Sequence, residues 1–217
     1  LAAGVAGNFS DGAIARYNAD GTIDSTFGSD GFVRIVRFEF GGIKDITLGA
    51  LNGGVQSIYV TGTANNGNND IGVMKITPDG SIDTTFGSNG LAFANFPQNT
   101  TAEAIAIQTV NNVELIVAAG HTQIAGNNSD FAVARFNAST GLLDTAGFNA
   151  GANGGRQTIA FDTAGNNDDR AFDVQIASNN DILLAGYATV TAGNEHDFGI
   201  ARLVVTGTAA NFGTNGK

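Results

Sequence analysis

"DGTIDSTFGSDG" occupies Asp20–Gly31 and "DGSIDTTFGSNG" occupies Asp79–Gly90. The two stretches differ at three of twelve positions and begin 59 residues apart. A near-copy at such a period signals a repeat array, in which one small unit cannot bury its apolar face alone and neighbours must stack. The surrounding sequence repeats as well. "DGAIAR" starts at Asp11, "DIGVMK" at Asp70, "DFAVAR" at Asp130 and "DFGIAR" at Asp197. A phenylalanine follows each time, at Phe27, Phe86, Phe148 and Phe212. Ahead of each Asp-led segment lies an apolar stretch closing on glycine: "GVAG", "IYVTG", "LIVAAG" and "ILLAG".

The pattern within a unit has period two, which specifies strands. In "DFAVARF", Phe131, Val133 and Arg135 share one face, while Ala132 and Ala134 share the other. Gly and Asn interrupt every candidate helix. Each unit offers four strands of five to seven residues, about fourteen in the whole chain. Four short antiparallel strands per unit of about 60 residues predict an all-β fold, a β-propeller or part of one, with each unit a four-stranded blade. The units run approximately 1–54, 55–112, 113–179 and 180–217, the last incomplete, in one repeat domain of about three and a half blades. A stacked sandwich or a β-solenoid is the alternative, although solenoid rungs are usually shorter, about 20 to 30 residues.

The segments "DFAVARFN", "DGSIDTTFG", "AIAIQ" and "IVAAG" resemble the bacterial delta-sixty repeat, a family described as an uncharacterised β-propeller domain. The resemblance covers nearly the whole chain. It implies large secreted or surface-attached bacterial proteins with tandem copies, and it brings no catalytic residues to carry over. Two copies depart from the pattern. The third reads "STGLLDTAGFN", with an insertion before Phe148, and the fourth reads "VVTGTAANFG", without the Ile-Asp step.

Composition narrows the functional classes. Twenty acids against ten bases give a net charge of -10, which argues against nucleic acid or an anionic membrane surface as partner. Cysteine is absent, so disulfides, zinc thiolates and cysteine nucleophiles are all excluded. There are 24 Asn and 21 Thr but three Lys, so amides and hydroxyls form the polar surface, as expected of an extracellular or cell-surface protein. No apolar run approaches the roughly 18 residues of a membrane helix. The sequence has neither an initiating Met nor a signal peptide, which fits a processed product or part of a longer chain.

The candidate sites are repeat positions. Asn18, Asp20 and Asp24 loosely match a calcium loop. An Asp-Gly turn at Gly21, Gly80 and Gly141 explains the same residues, and Thr140 in place of the acid suits a turn better than a metal site. Arg16, Lys75, Arg135 and Arg202 close the Asp-led strands, and Asp24, Asp83 and Asp144 follow them. A basic group and an acid in each unit predict a structural ion pair, such as Lys75 with Asp83, within a blade or to its neighbour. The Asn-rich loops 65–70 and 125–130 are solvated or bind glycans or calcium. "NEHD" at 194–197 is the densest acid–base group, and His121 is the other histidine. Four N-x-[ST] sequons begin at Asn8, Asn99, Asn127 and Asn137.

The expectation is a non-enzymatic structural or adhesive module, with no cofactor unless calcium. Its partners would be proteins or further copies of the array, or glycans. A glycan- or calcium-binding lectin-like module is the alternative, and a propeller hydrolase with scattered carboxylates is the third reading.

Overall fold

The computed structural model describes residues 1–6, 11–35, 42–51, 53–124, 128–151, 153–161, 168–189 and 195–208. Phe212 and the sequons at Asn8 and Asn127 lie outside the described residues. Among those described, fourteen strands form four antiparallel sheets without any helix. The first sheet contains β1 (Ala2–Ala6), β2 (Asp11–Ala15) and β3 (Phe32–Ile35). The second contains β4 (Asp45–Leu48), β5 (Ile58–Asn65), β6 (Asn69–Ile76) and β7 (Leu91–Phe93). The third contains β8 (Thr100–Val110), β9 (Val113–Gln123), β10 (Ser129–Asn137) and β11 (Arg156–Ile159). The fourth contains β12 (Arg170–Ile176), β13 (Ile182–Thr189) and β14 (His196–Leu203). Every sheet is a meander whose neighbours follow chain order.

The sheets are offset by one strand from the sequence units. β4, β8 and β12 fall at the ends of units 1–54, 55–112 and 113–179, yet each opens the next sheet. Self-similarity is strongest in the two middle strands, whereas a sheet begins where strand pairing begins. The hairpin β8–β9 also exceeds the expected strand length, at eleven residues per strand. Asn111 and Asn112 close it with φ of 49° and 63°, the doubly left-handed turn that matches the twist of paired strands.

Register corrects one reading of the first unit. Gly62, Gly120 and Gly186 pair with Gly72, Ala132 and Gly199, and their counterpart opposite Ala13 is Gly4. The closing glycine of the first unit is therefore Gly4, not the last residue of "GVAG". At Gly120 and Gly186 a side chain would strike the carbonyls of Thr101 and Arg170. The first strands bulge there, between Ala102 and Ala104 and between Ala171 and Asp173, and bring their backbone close.

Alternate residues of one strand face opposite neighbours, so every sheet but the outermost is covered on both sides. Ile14 and Phe27 of the first sheet pack with Val60, Met74 and Leu91 of the second. Tyr59, Ile71 and Val73 of the second pack with Ala118, Ala132 and Ala134 of the third. Val117, Phe131 and Val133 of the third pack with Ala171, Leu184 and Ala201 of the fourth. The alternation in "DFAVAR" now has a cause. The branched and aromatic face meets the following sheet, and the small face lets the preceding sheet approach.

Candidate functional site

The residues that recur in sequence converge on the seams between sheets. Arg16 Nε lies 2.7 Å from Asp24, Lys75 Nζ 2.9 Å from Asp83, and Arg135 Nη2 2.7 Å from Asp144. The backbone draws each pair together, because the amides of Asp24, Asp83 and Asp144 donate to the carbonyls of Arg16, Lys75 and Arg135. The other carboxylate oxygen caps the turn. It accepts the amide and hydroxyl of Thr26 or Thr85, and in the third unit the amide of Gly147. The Thr26 hydroxyl, ahead of Arg16, holds the Asp24 carboxyl below its ordinary pKa, and Thr85 followed by Lys75 does the same for Asp83. The extra residue before Phe148 is absorbed by one bond. Phe27 and Phe86 donate three residues back to Asp24 and Asp83, whereas Phe148 donates four residues back to Asp144.

The pairs also reach across the seam. The Arg16 guanidinium donates to the carbonyl of Pro78, and Arg135 donates to that of Val205, at matching positions in the next unit. Both guanidiniums lie over the phenylalanine of their own unit, 4.6 Å from the Phe27 ring centre and 4.9 Å from that of Phe148, within the range of a cation–π contact. Backbone bonds run alongside. Gly28 donates to Asp79 (2.7 Å), Gly87 to Thr140 (2.8 Å) and Asn149 to Thr206 (2.7 Å). Phe27, Phe86 and Phe148 are fully buried beneath these joints. Gly21, Gly80 and Gly141 all have positive φ, but only the later two turns receive a preceding unit.

Arg135 is the most enclosed of the set, with its side chain 2% exposed. It also donates to Gln108 Oε1 at 2.8 Å, and Gln108 Nε2 donates to the carbonyl of Asn180 in the fourth sheet at 2.6 Å. Arg202 departs from the pattern, because its unit lacks the Ile-Asp step. It pairs instead with Asp181, at 2.6 Å, at the start of β13. Sequence reasoning missed Asp181 because it precedes its partner rather than following it.

A family model described as a domain of unknown function (DUF5122) beta-propeller matches residues 3–27, 57–86 and 116–146. These three segments carry the β-propeller repeat of that family, the delta-sixty repeat. The matches span the strand pairs β1–β2, β5–β6 and β9–β10 and the turn that leads to or just short of each phenylalanine. The fourth blade lies outside the matches, and its place in the series comes from sheet topology and register. No curated protein matches the chain.

The remaining candidates do not converge. Asp11 pairs with Arg34 of β3, and Asp197 accepts the amide of Phe198. Asp130 sits opposite Thr122. Asp70 is buried and accepts the amides of Ile71 (2.8 Å) and Phe96 (3.1 Å). Asp20 accepts the amide and hydroxyl of Thr22 at Oδ1, so that oxygen serves its own turn. Among the described residues no cluster of three His, Asp or Glu groups could hold a metal. In loop 65–70, Asn65 accepts the amide of Gly67, Asn66 donates to Asn95, and the amide of Asn69 donates to Asn99. Residues 125–127 and Asn194 fall outside the described set. Glu195, His196 and Asp197 are exposed, and the His196 ring lies 4.1 Å from that of Tyr187. Asn137 accepts the amides of Ser139 and Thr140.

The first strands bring other charges to the blade edges, and sequence alone did not single these out. Lys44 lies 3.3 Å from Glu103 of the next blade, and Asp45 accepts the amide of Ile105 at 2.9 Å. Asp169 is buried, accepting the amides of Phe161 and Thr189.

The buried Asp70 and the half-buried His121 give the array an acid response of opposing parts. Burial raises the pKa of Asp70 to about 6, against the backbone amides and Arg156. Burial, then the charge of Arg170, lowers that of His121 to about 4. Between about pH 4 and 6 the folded state holds the Asp70 proton more tightly than the unfolded chain, so this group adds stability as pH falls. Over the same window the unfolded chain protonates His121 first, so that group removes stability as pH falls. The two largely cancel. In Asp70→Asn, thermal midpoints measured between pH 6.5 and 4 should fall more steeply than in the parent, while in His121→Gln they should flatten or rise. Identical slopes in all three proteins would show that neither group titrates as described.

Proposed function

We propose that the chain is a non-enzymatic structural module of an extracellular or cell-surface bacterial protein, acting through assembly and surface contact. One observation supports this reading above the others. The recurring charged side chains, Arg16, Lys75 and Arg135 with their acids, are engaged in turns and blade seams. At the first-strand edge of the sheets Lys44 and Glu103 pair across a seam. A hydrolytic site needs carboxylates of separated pKa facing a common substrate position, whereas the turn acids here face their own threonines or, at Asp144, the amide of Gly147. Localisation outside the cell rests on the amide-rich, acidic composition. A protease-shaving or antibody-labelling experiment on intact producing cells tests it, and labelling confined to permeabilised cells would refute it.

The module reading expects the thermal midpoint to be indifferent to millimolar calcium and to chelator, and expects no retention on immobilised glycans. A midpoint that rises with calcium and falls with chelator would replace it with the lectin-like alternative. Retention on a defined sugar would do the same.

A further inference from the structure

Among the described residues nothing covers the face of the fourth sheet turned away from the third, and its residues are the ones that the other sheets bury. Phe198 and Ile200 of β14 occupy the positions of Phe131 and Val133 in β10 and of Ile71 and Val73 in β6. Phe131 is 0% exposed and Phe198 is 92% exposed. Ile200 and Phe172 are also open to solvent, and so is Ala185, the counterpart of the buried Ala119. At the other end, the rear face of the first sheet is open as well. Phe32 is 49% exposed where its counterpart Leu91 is fully buried, and Tyr17 is exposed where Ile76 and Phe136 are buried. The turn at Gly21 has nothing within 4 Å of a side chain placed there, whereas Gly80 and Gly141 meet the preceding unit.

We infer that these two faces are the halves of one more blade seam, and that the occupant of the Phe198 face is the first sheet of a second copy of this chain. The argument is continuity with the three seams already built. In the third seam the Phe131 ring lies over Gly199, whose absent side chain would sit 3.1 Å from its tip. The residue matching Gly199 in the first sheet is Ala13, next in line with Ala15, so Phe198 meets the small rear face on which its counterparts already rest. The contact is heterologous, front to rear, and it extends to open chains or closes into a ring according to the rotation per copy. Each copy carries a net charge of -10, so repulsion opposes association most at low salt and the apolar seam strengthens as salt is added. This inference rests on the structural reading above and makes the assembly contact specific.

Sedimentation of the whole chain over a range of concentrations tests it, together with Phe198→Arg and Phe32→Arg. The parent should grow in mass with concentration and with salt, to about twice the monomer or beyond. Each variant alone should remain monomeric. An equimolar mixture of the two should form a dimer and stop there, because one intact front and one intact rear remain. Circular dichroism matching the parent confirms that the variants fold. A parent that stays monomeric at every concentration and salt level overturns the inference. So does a Phe32→Arg protein that associates like the parent, since the contact would then join two Phe198 faces. Either result leaves the structural reading standing, because that reading falls to the calcium and glycan measurements instead.

Discussion

Gly80→Ala is expected to destabilise the chain by about 2–4 kcal/mol, while Gly21→Ala should cost about 1 kcal/mol. Both glycines sit in the same Asp-Gly turn, with φ of +94° and +84°. The strain of placing a side chain at positive φ is thus common to both. The surroundings differ. A side chain at Gly80 would lie 2.6 Å from the amide nitrogen of Gly28 and 2.9 Å from its Cα, in the backbone of the preceding blade. That backbone is fixed by the bond from Gly28 to Asp79, so relief requires opening the seam. At Gly21 no atom of the described residues beyond its chain neighbours lies within 4 Å of that position. The difference between the two variants, measured by denaturant unfolding, therefore isolates the seam from the turn. Equal losses would mean that the repeated glycine serves the turn alone.

Arg135→Met should have an effect of comparable or larger size, about 3–5 kcal/mol, because it breaks a buried ion pair and leaves its partners in place. Asp144, Gln108 and the carbonyl of Val205 all lose a donor. For a chain of this length such a loss corresponds to a fall of roughly 10 °C in the thermal midpoint. Arg16→Met removes the equivalent residue from a more exposed joint and should cost about 1 kcal/mol or less. Its side chain is 28% exposed, against 2% for Arg135, so water replaces much of what is lost. Calorimetry on the two variants decides the point. Similar midpoints in both would contradict the assignment of Arg135 as the enclosed member of the series.

Much of the joint was legible in the sequence because its parts are close together. Arg16 and Asp24, or Lys75 and Asp83, are eight residues apart and recur, so their pairing could be expected from spacing alone. The phenylalanines were legible for the same reason. What the joint connects was not legible, since Pro78 and Val205 lie 62 and 70 residues beyond the arginines that reach them. Asp45, Asp169 and Asp181 escaped notice because each has partners of its own, Ile105 of the next blade for Asp45, Phe161 and Thr189 for Asp169 and Arg202 for Asp181, so no shared spacing marks them. The choice of Gly4 over Gly7 likewise depends on strand register, which sets the pairing with Ala13 and which a short apolar run leaves open. The strand offset has a related origin. β4, β8 and β12 share little sequence, although they occupy the same place in successive blades.

The twin stretches at Asp20–Gly31 and Asp79–Gly90 therefore act as donor and acceptor halves of one seam. The Phe-Gly end of the first docks on the Asp-Gly turn of the second, and the second repeats this on the third. Residue-resolved amide hydrogen exchange tests this most directly at Gly28, Gly87 and Asn149, whose N–H groups cross the seams. These three amides are predicted to exchange slowly in the parent chain, and Gly28 should lose its protection selectively in Gly80→Ala. Fast exchange at all three in the folded parent would contradict the account.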